Sequence, residues 1–134
     1  MSTRGMYEFV ESSRESHCVY VHHDNYPTDA ATKLIETLFG ELHWGKKRYE
    51  ADEFAAAFVA INKTQSGGVR LANKRNQYSD IEYFYRVTYG EQHNVEAYAV
   101  PGDWDGKLKS ARLLFKGSIE DFALKSEEVE KQEA

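Results

Sequence analysis

The stretch IEYFYRVTY, residues 81–89, decides how the chain is read. Its side chains alternate with a period of two, the period of a strand and not of a helix. Ile81, Tyr83, Tyr85, Val87 and Tyr89 share one face, and Glu82, Phe84, Arg86 and Thr88 the other. Aromatic and β-branched residues favour a pleated surface with a buried side. Residues 90–94 (GEQHN) then turn the chain, and residues 95–100 (VEAYAV) pair back. A polar loop (PGDWDG, 101–106) surrounds Trp104, and residues 109–116 form a last strand. Upstream, residues 69–74 are another strand candidate, with a turn through 75–80.

The first half reads differently. Residues 6–10 (MYEFV) and 17–23 (HCVYVHH) are two strands joined by a polar connector, ESSRES, of hairpin-loop size. Pro27-Thr28-Asp29 starts a helix, with Thr28 or Asp29 able to cap it and Asp29 suited to its positive end. Ala31, Leu34, Ile35, Leu38, Phe39 and Leu42 follow at helical spacing and predict one buried stripe. Gly40 or Gly45 ends that helix. Residues 49–62 (YEADEFAAAFVAIN) predict a second, Ala-rich helix with Asp52 as cap, broken by KTQSGG. Ser118-Ile119-Glu120-Asp121 has the form of a helix start, a continuing strand being the alternative. Beyond Leu124 the tail KSEEVEKQEA carries little apolar surface and is expected to be frayed and solvated.

The order β-β-α-α-β-β-β-β, with a C-terminal helix as an option, predicts an α+β domain over residues 1–124. Its sheet is expected to be mostly antiparallel, with the helices on one face. At 134 residues, 41% hydrophobic and 29% charged, one globular domain is expected. The single Cys18 makes no intramolecular disulfide, and no apolar run approaches the ~20 residues of a membrane span. A cytoplasmic setting is the expectation. Net charge of −5 argues against a general duplex-binding protein. It suits solubility, or a basic protein partner.

Candidate chemistry concentrates in VYVHHDNYPTDAA, residues 19–31. If the second strand continues to Asp24, His22 and Asp24 share a face and reach one ligand together. His22 can move protons near neutral pH, Asp24 can orient it or hold a cation, and Tyr26 adds a hydroxyl. The alternative is a strand-end turn in which Asp24 or Asn25 bonds backbone amides. His17, His22, His23, His43, His93 and Cys18 match no metal signature, so no metal and no cofactor is expected. Neither a phosphate loop nor a nucleophile elbow is present. A further candidate is an aromatic contact face of Tyr83, Tyr85, Tyr89, Tyr98 and Trp104. If that face meets the helices the rings are core; if it meets water it is a patch for a partner.

Thr3-Arg4 ahead of a strand, with His22-x-Asp24-x-Tyr26-Pro27 entering a helix, resembles a group of small uncharacterised proteins of phages and prophage-rich bacterial genomes. Those typically begin with a Thr-Arg pair and carry Cys-His-Trp-Asp-Gly-Tyr-Pro. The matching positions here are Val21 to Pro27, with departures at Val21, His23 and Asn25. Asn25 replaces the Gly, and Asn also tolerates a left-handed turn. The resemblance covers about the first thirty residues. It implies a mobile-element setting and raises Arg4, His22, Asp24 and Tyr26 as a constellation, without implying an activity.

Two functions follow as expectations. One is a binding or inhibitory module that docks on a protein, a host-defence component among the partners to consider. The other is an enzyme or binder of a small phosphate-bearing ligand such as a nucleotide. There Arg4 would neutralise phosphate, His22 serve as acid or base, Asp24 orient it and Tyr26 donate a hydrogen bond. That version requires Arg4 to lie near His22. A structural accessory protein acting as a homo-oligomer is a third option.

Overall fold

The computed structural model describes residues 3–12 and 14–133. Its strands are β1 (Gly5–Ser12), β2 (Glu15–Val21), β3 (Val69–Ala72), β4 (Tyr83–Tyr89), β5 (His93–Ala99) and β6 (Arg112–Ser118). Its helices are α1 (Pro27–Phe39), α2 (Ala51–Asn62) and α3 (Ile119–Glu133). The strands form one six-stranded sheet in the order β3-β2-β1-β4-β5-β6. All neighbours are antiparallel except β1 and β4, which run parallel. The parallel pair needs a long crossover, and α1, α2 and β3 supply it. This is the expected α+β architecture.

Helices cover one face of the sheet. Tyr7, Phe9, Val19, Leu34, Leu38, Phe54, Phe58, Tyr85 and Phe122 fill the space between, all fully buried. Tyr7 stacks on Tyr85 at 5.1 Å and tilts against Phe58 at 4.7 Å. Burying a large apolar side chain is worth about 2 kcal/mol, and paired rings add ~0.5–1.5 kcal/mol. The other face carries a second cluster of Met6, Cys18, Tyr20, Ile81, Phe84, Tyr98 and Trp104. Beside it Glu8 pairs with Arg75 at 2.8 Å, and Arg86 lies 3.5 Å from Glu96. Burial, then Glu8, pushes the Cys18 thiol up to about 12, so the thiol stays protonated and inert.

Three expectations change. Ile81 precedes β4 and packs in the second cluster, not beside Tyr83. The tail beyond Leu124 is not frayed: it continues α3 to Glu133. Ile119, Phe122, Ser126 and Val129 are its buried positions, a helical spacing in which a serine stands in for an apolar residue. Glu130, from that same stretch, accepts from the Thr28 amide at 3.1 Å and its hydroxyl at 2.9 Å. The cap expected from Thr28 is also absent, and neither N-cap residue makes a side-chain bond, though Asp52 accepts from the Glu53 amide at 2.7 Å. Carboxylates distant in sequence add to this. Glu130 serves α1, and Glu11 accepts from the Ala51 amide of α2 at 2.8 Å.

Candidate functional site

β2 ends at Val21, so His22 and Asp24 do not share a strand face. The His22 amide still bonds Gly68 O at 2.9 Å, and its ring turns back onto the outer face of the sheet. There the Tyr20 hydroxyl lies 2.7 Å from His22 Nδ1. Arg4 pairs with Asp80 at 2.9 Å, and its charge acts on both Tyr20 and His22. Arg4 and His22 thus share one charged neighbourhood with Tyr20 and Asp80. In the bond between Tyr20 and His22 the tautomer of His22 decides whether the hydroxyl or the ring donates. Tyr78 stacks on Tyr20 at 4.1 Å and holds that ring in place. Desolvation first, then Arg4, His23 and Arg70, lowers the His22 pKa against the pull of Asp80.

Asp24 and Tyr26 leave this constellation. Asp24 is exposed with φ of +62°, and its carbonyl accepts from the Lys33 ammonium. Tyr26 precedes α1 and sets its ring edge-on to Tyr83 at 5.9 Å. The left-handed residue is therefore Asp24 and not Asn25. Asn25 is fully buried and builds the corner. Its amide donates to the carbonyls of Thr3, Val21 and His23 at 2.7, 2.9 and 3.0 Å. Its side-chain oxygen accepts from Tyr7 at 2.7 Å, and its backbone oxygen accepts from Tyr85 at 2.7 Å. Gly5 lies beneath it, where a Cβ would come within 2.8 Å of the Asn25 side chain. The strand-end turn is thus bound differently from the alternative read in the sequence: Asn25 donates to backbone carbonyls and accepts from Tyr7, not from backbone amides.

A cleft of about 170 Å³ opens beside His22, lined also by His23, Gln65, Ser66, Gly67, Gly68 and Arg70. Gly67, with φ of +76°, folds the loop so that its carbonyl accepts from Arg70 Nε at 3.2 Å. A second cleft of about 260 Å³ lies next to it, between Asp24, Lys33, Asn62 and Gln65. Among the described residues no three His, Cys, Asp or Glu side chains converge as metal ligands. No described helix is long and apolar enough to cross a membrane.

The aromatic contact face does not exist as one surface. Tyr83 and Tyr85 lie under the helices, Tyr98 and Trp104 lie in the cluster on the opposite face, and all four are buried. Tyr89 is half-exposed and stacks on Tyr49 at 5.6 Å.

An apolar surface appears elsewhere, in the stripe of α1. Ala31, Leu34 and Leu38 are buried, but Phe39 is 56% exposed and Leu42 is 53% exposed. Ile35, Phe39, Leu42 and, from α2, Ile61 line a groove of about 610 Å³, with Glu36 and Glu41 on its rim. Gly40 permits this ending, since a Cβ there would sit 2.6 Å from Glu36 O. His43 then plugs inward, edge-on to Phe54 at 4.8 Å and to His93 at 5.6 Å. Its Nδ1 accepts from the Gly45 amide at 3.1 Å. Burial lowers the pKa of His43, and burial followed by His43 lowers that of His93. With His43 turned inward, Leu42 and Trp44 on either side face out, and Arg48 lies 3.8 Å over the Trp44 ring. Sequence reasoning missed this groove because helical spacing counts apolar positions without saying how wide a stripe the sheet covers. The usable signal was a six-residue stripe running past Gly40, wider than one contact face needs.

No family model matches the sequence, and no curated protein and no solved structure matches the chain.

Proposed function

We propose that this protein is a binding module acting through protein–protein contact, and that the groove between the ends of α1 and α2 is its docking site. The observation that carries this reading is the exposure of Phe39 and Leu42 around a groove while neighbouring His43 is buried. Contiguous exposed apolar surface with a polar rim marks an interaction site. Glu36 and Glu41 on that rim, with a net charge of −5, favour a basic amphipathic segment whose apolar side chains enter the groove. The resemblance to phage proteins makes a host-defence component the first partner class to try, the protein then acting as an inhibitor.

The test follows tryptophan emission during titration with a basic amphipathic helical peptide and with an acidic peptide of the same apolar face. Exposed Trp44 lies two residues beyond Leu42, which lines the groove, so the basic peptide should shift its emission and the acidic one should not. Phe39→Asp with Leu42→Asp should abolish the shift while leaving the melting temperature near wild type. Equal binding of both peptides, or none of either, would sink the reading.

A second reading is favoured by a separate observation, the cationic surroundings of His22. Arg4, His23 and Arg70 all act on this histidine as positive charges beside a polar cleft. Such a site suits a small phosphate-bearing ligand. Arg70 and the Nε2 proton of His22 would hold the phosphate, and Arg4 and Tyr20 would position His22. Asp24 and Tyr26 have no part in it. Inorganic phosphate and nucleotides should raise the melting temperature of the wild type but not of His22→Ala or Arg70→Ala.

A further inference from the structure

The edge of the sheet at β3 is open, and its hydrogen-bonding groups can be followed one by one. The bond from the His22 amide to Gly68 O fixes the alternation, so Gly68, Arg70 and Ala72 turn their backbone groups toward β2. Val69, Leu71 and Asn73 turn theirs outward. At the ends of this edge the chain caps itself. Val69 O accepts from Lys63 Nζ at 3.0 Å, and the Asn73 amide donates to Gln77 Oε1 at 2.6 Å. Between the caps, the amide and carbonyl of Leu71 face out with no partner strand among the described residues. The Leu71 side chain sits on the helical face of the sheet, opposite Val19, yet is 76% exposed.

Helix α2 flanks this edge. It runs in the direction of β2, anchored by Glu11 at its first residue and by Lys63 near Val69 just past its last. Asp52, Ala56, Val59 and Ala60 line a groove of about 450 Å³ with Leu71, which lies level with the middle of the helix. We propose that a second copy of this chain occupies the edge, related by a twofold axis through Leu71. About that axis the Leu71 amide of each copy donates to the Leu71 carbonyl of the other, and both open groups are satisfied by one symmetric pair of bonds. The same axis sets the two α2 helices antiparallel, with Ala56 against Ala60 of the other copy. These small residues let the helices approach over the two Leu71 side chains. It also sets Asp52 opposite Lys63, one acid against one base at each end of the helix pair. Three features that have no necessary relation in the monomer thus share one axis: the position of the open backbone groups, the exposed apolar residues and the opposed charges. Because the strand pairing is short, α2 supplies most of the buried area and the dimer is concentration-dependent. No residue lining the Leu71 groove lines the groove at Phe39 or the His22 cleft, although Arg70 of the cleft belongs to the same strand as Leu71.

Sedimentation velocity across a hundredfold range of protein concentration tests the proposal. The wild type should pass from monomer to dimer. Leu71→Lys and Ala60→Glu, both at exposed positions, should remain monomers with unchanged melting temperatures. Asp52→Lys should weaken the dimer, and combining it with Lys63→Glu should restore part of the loss, which a merely structural role for either residue would not produce. A wild type that stays monomeric throughout the range overturns the proposal. So does a dimer that survives Leu71→Lys and Ala60→Glu, since its interface would then lie elsewhere.

Discussion

His22 and His43 both follow the end of a regular element, and the molecule uses them in opposite ways. At the end of β2 the histidine is presented. His22 is half-buried, held by the Tyr20 hydroxyl, on a corner whose buried support is Asn25. Past the end of α1 the histidine is the support. His43 is buried against Phe54, and the apolar Leu42 and Trp44 are what the corner presents. In each region a polar side chain in the interior fixes the backbone, by hydrogen bonds that no apolar residue can make. What faces solvent is then free to differ: a cationic polar cleft in one case and an apolar groove with an acidic rim in the other. The first suits a small anion and the second a protein, so the comparison separates two functions that composition alone leaves mixed.

The largest effects should come from the supports. Asn25→Ala removes the acceptor of the buried Tyr7 hydroxyl and the donor to three carbonyls, and should cost about 3 kcal/mol in urea unfolding. A loss below ~1 kcal/mol would mean that the strand end does not depend on it. Within α1, Leu38→Ala should cost about 3 kcal/mol, because Leu38 is fully buried. Leu42→Ala, four residues on in the same stripe, should cost no more than ~0.5 kcal/mol. Equal losses at the two leucines would show that Leu42 is core and that the groove is not a free surface.

Acidification tests the corners next. Burial is the first cause of the lowered pKa of both His43 and His93. Below the ordinary histidine value near 6.5 the unfolded chain therefore binds more protons than the folded one. The stability present above that pH is lost as pH falls from about 6.5 through the folded values. Melting temperature should drop over this window, and His43→Gln should flatten the drop. His22→Gln should act in the same direction, since desolvation lowers that pKa too, and a drop left unchanged by His43→Gln would show that His43 does not titrate from a buried position.

Much of this was legible in the residues, and the misses have physical causes. Strict alternation in 81–89 identified β4, and the Ala-rich spacing of 49–62 identified α2, because each period is imposed by local backbone geometry. The caps were not legible, since Glu11 and Glu130 reach their helices across the fold. Tyr83, Tyr85, Tyr98 and Trp104 looked like one face because sequence does not say that loops as well as helices cover this sheet. At the strand end Arg4, His22, Asp24 and Tyr26 were read as one constellation, whereas Tyr20, whose hydroxyl meets His22, was read only as a strand position. Asn25 was read as a turn residue although it is the most connected side chain of the corner.

The smallest expected effect is also the sharpest probe of the strand end. Tyr20→Phe keeps the ring that stacks on Tyr78 and removes only the hydroxyl that meets His22. Stability should change by no more than ~1 kcal/mol, the worth of a partly exposed hydrogen bond. The imidazole, however, loses the hydrogen-bond partner of its Nδ1. In the wild type, nitrogen-15 spectra should show His22 with its proton on Nε2 and Nδ1 as acceptor. In Tyr20→Phe the two ring nitrogens should move toward averaged shifts, and binding of phosphate at the cleft should weaken with them. Spectra unchanged by the substitution would mean that Tyr20 does not set the His22 proton. Spectra that average without any change in phosphate binding would leave the tautomer real but irrelevant, and would return the weight of the functional argument to the groove at Phe39.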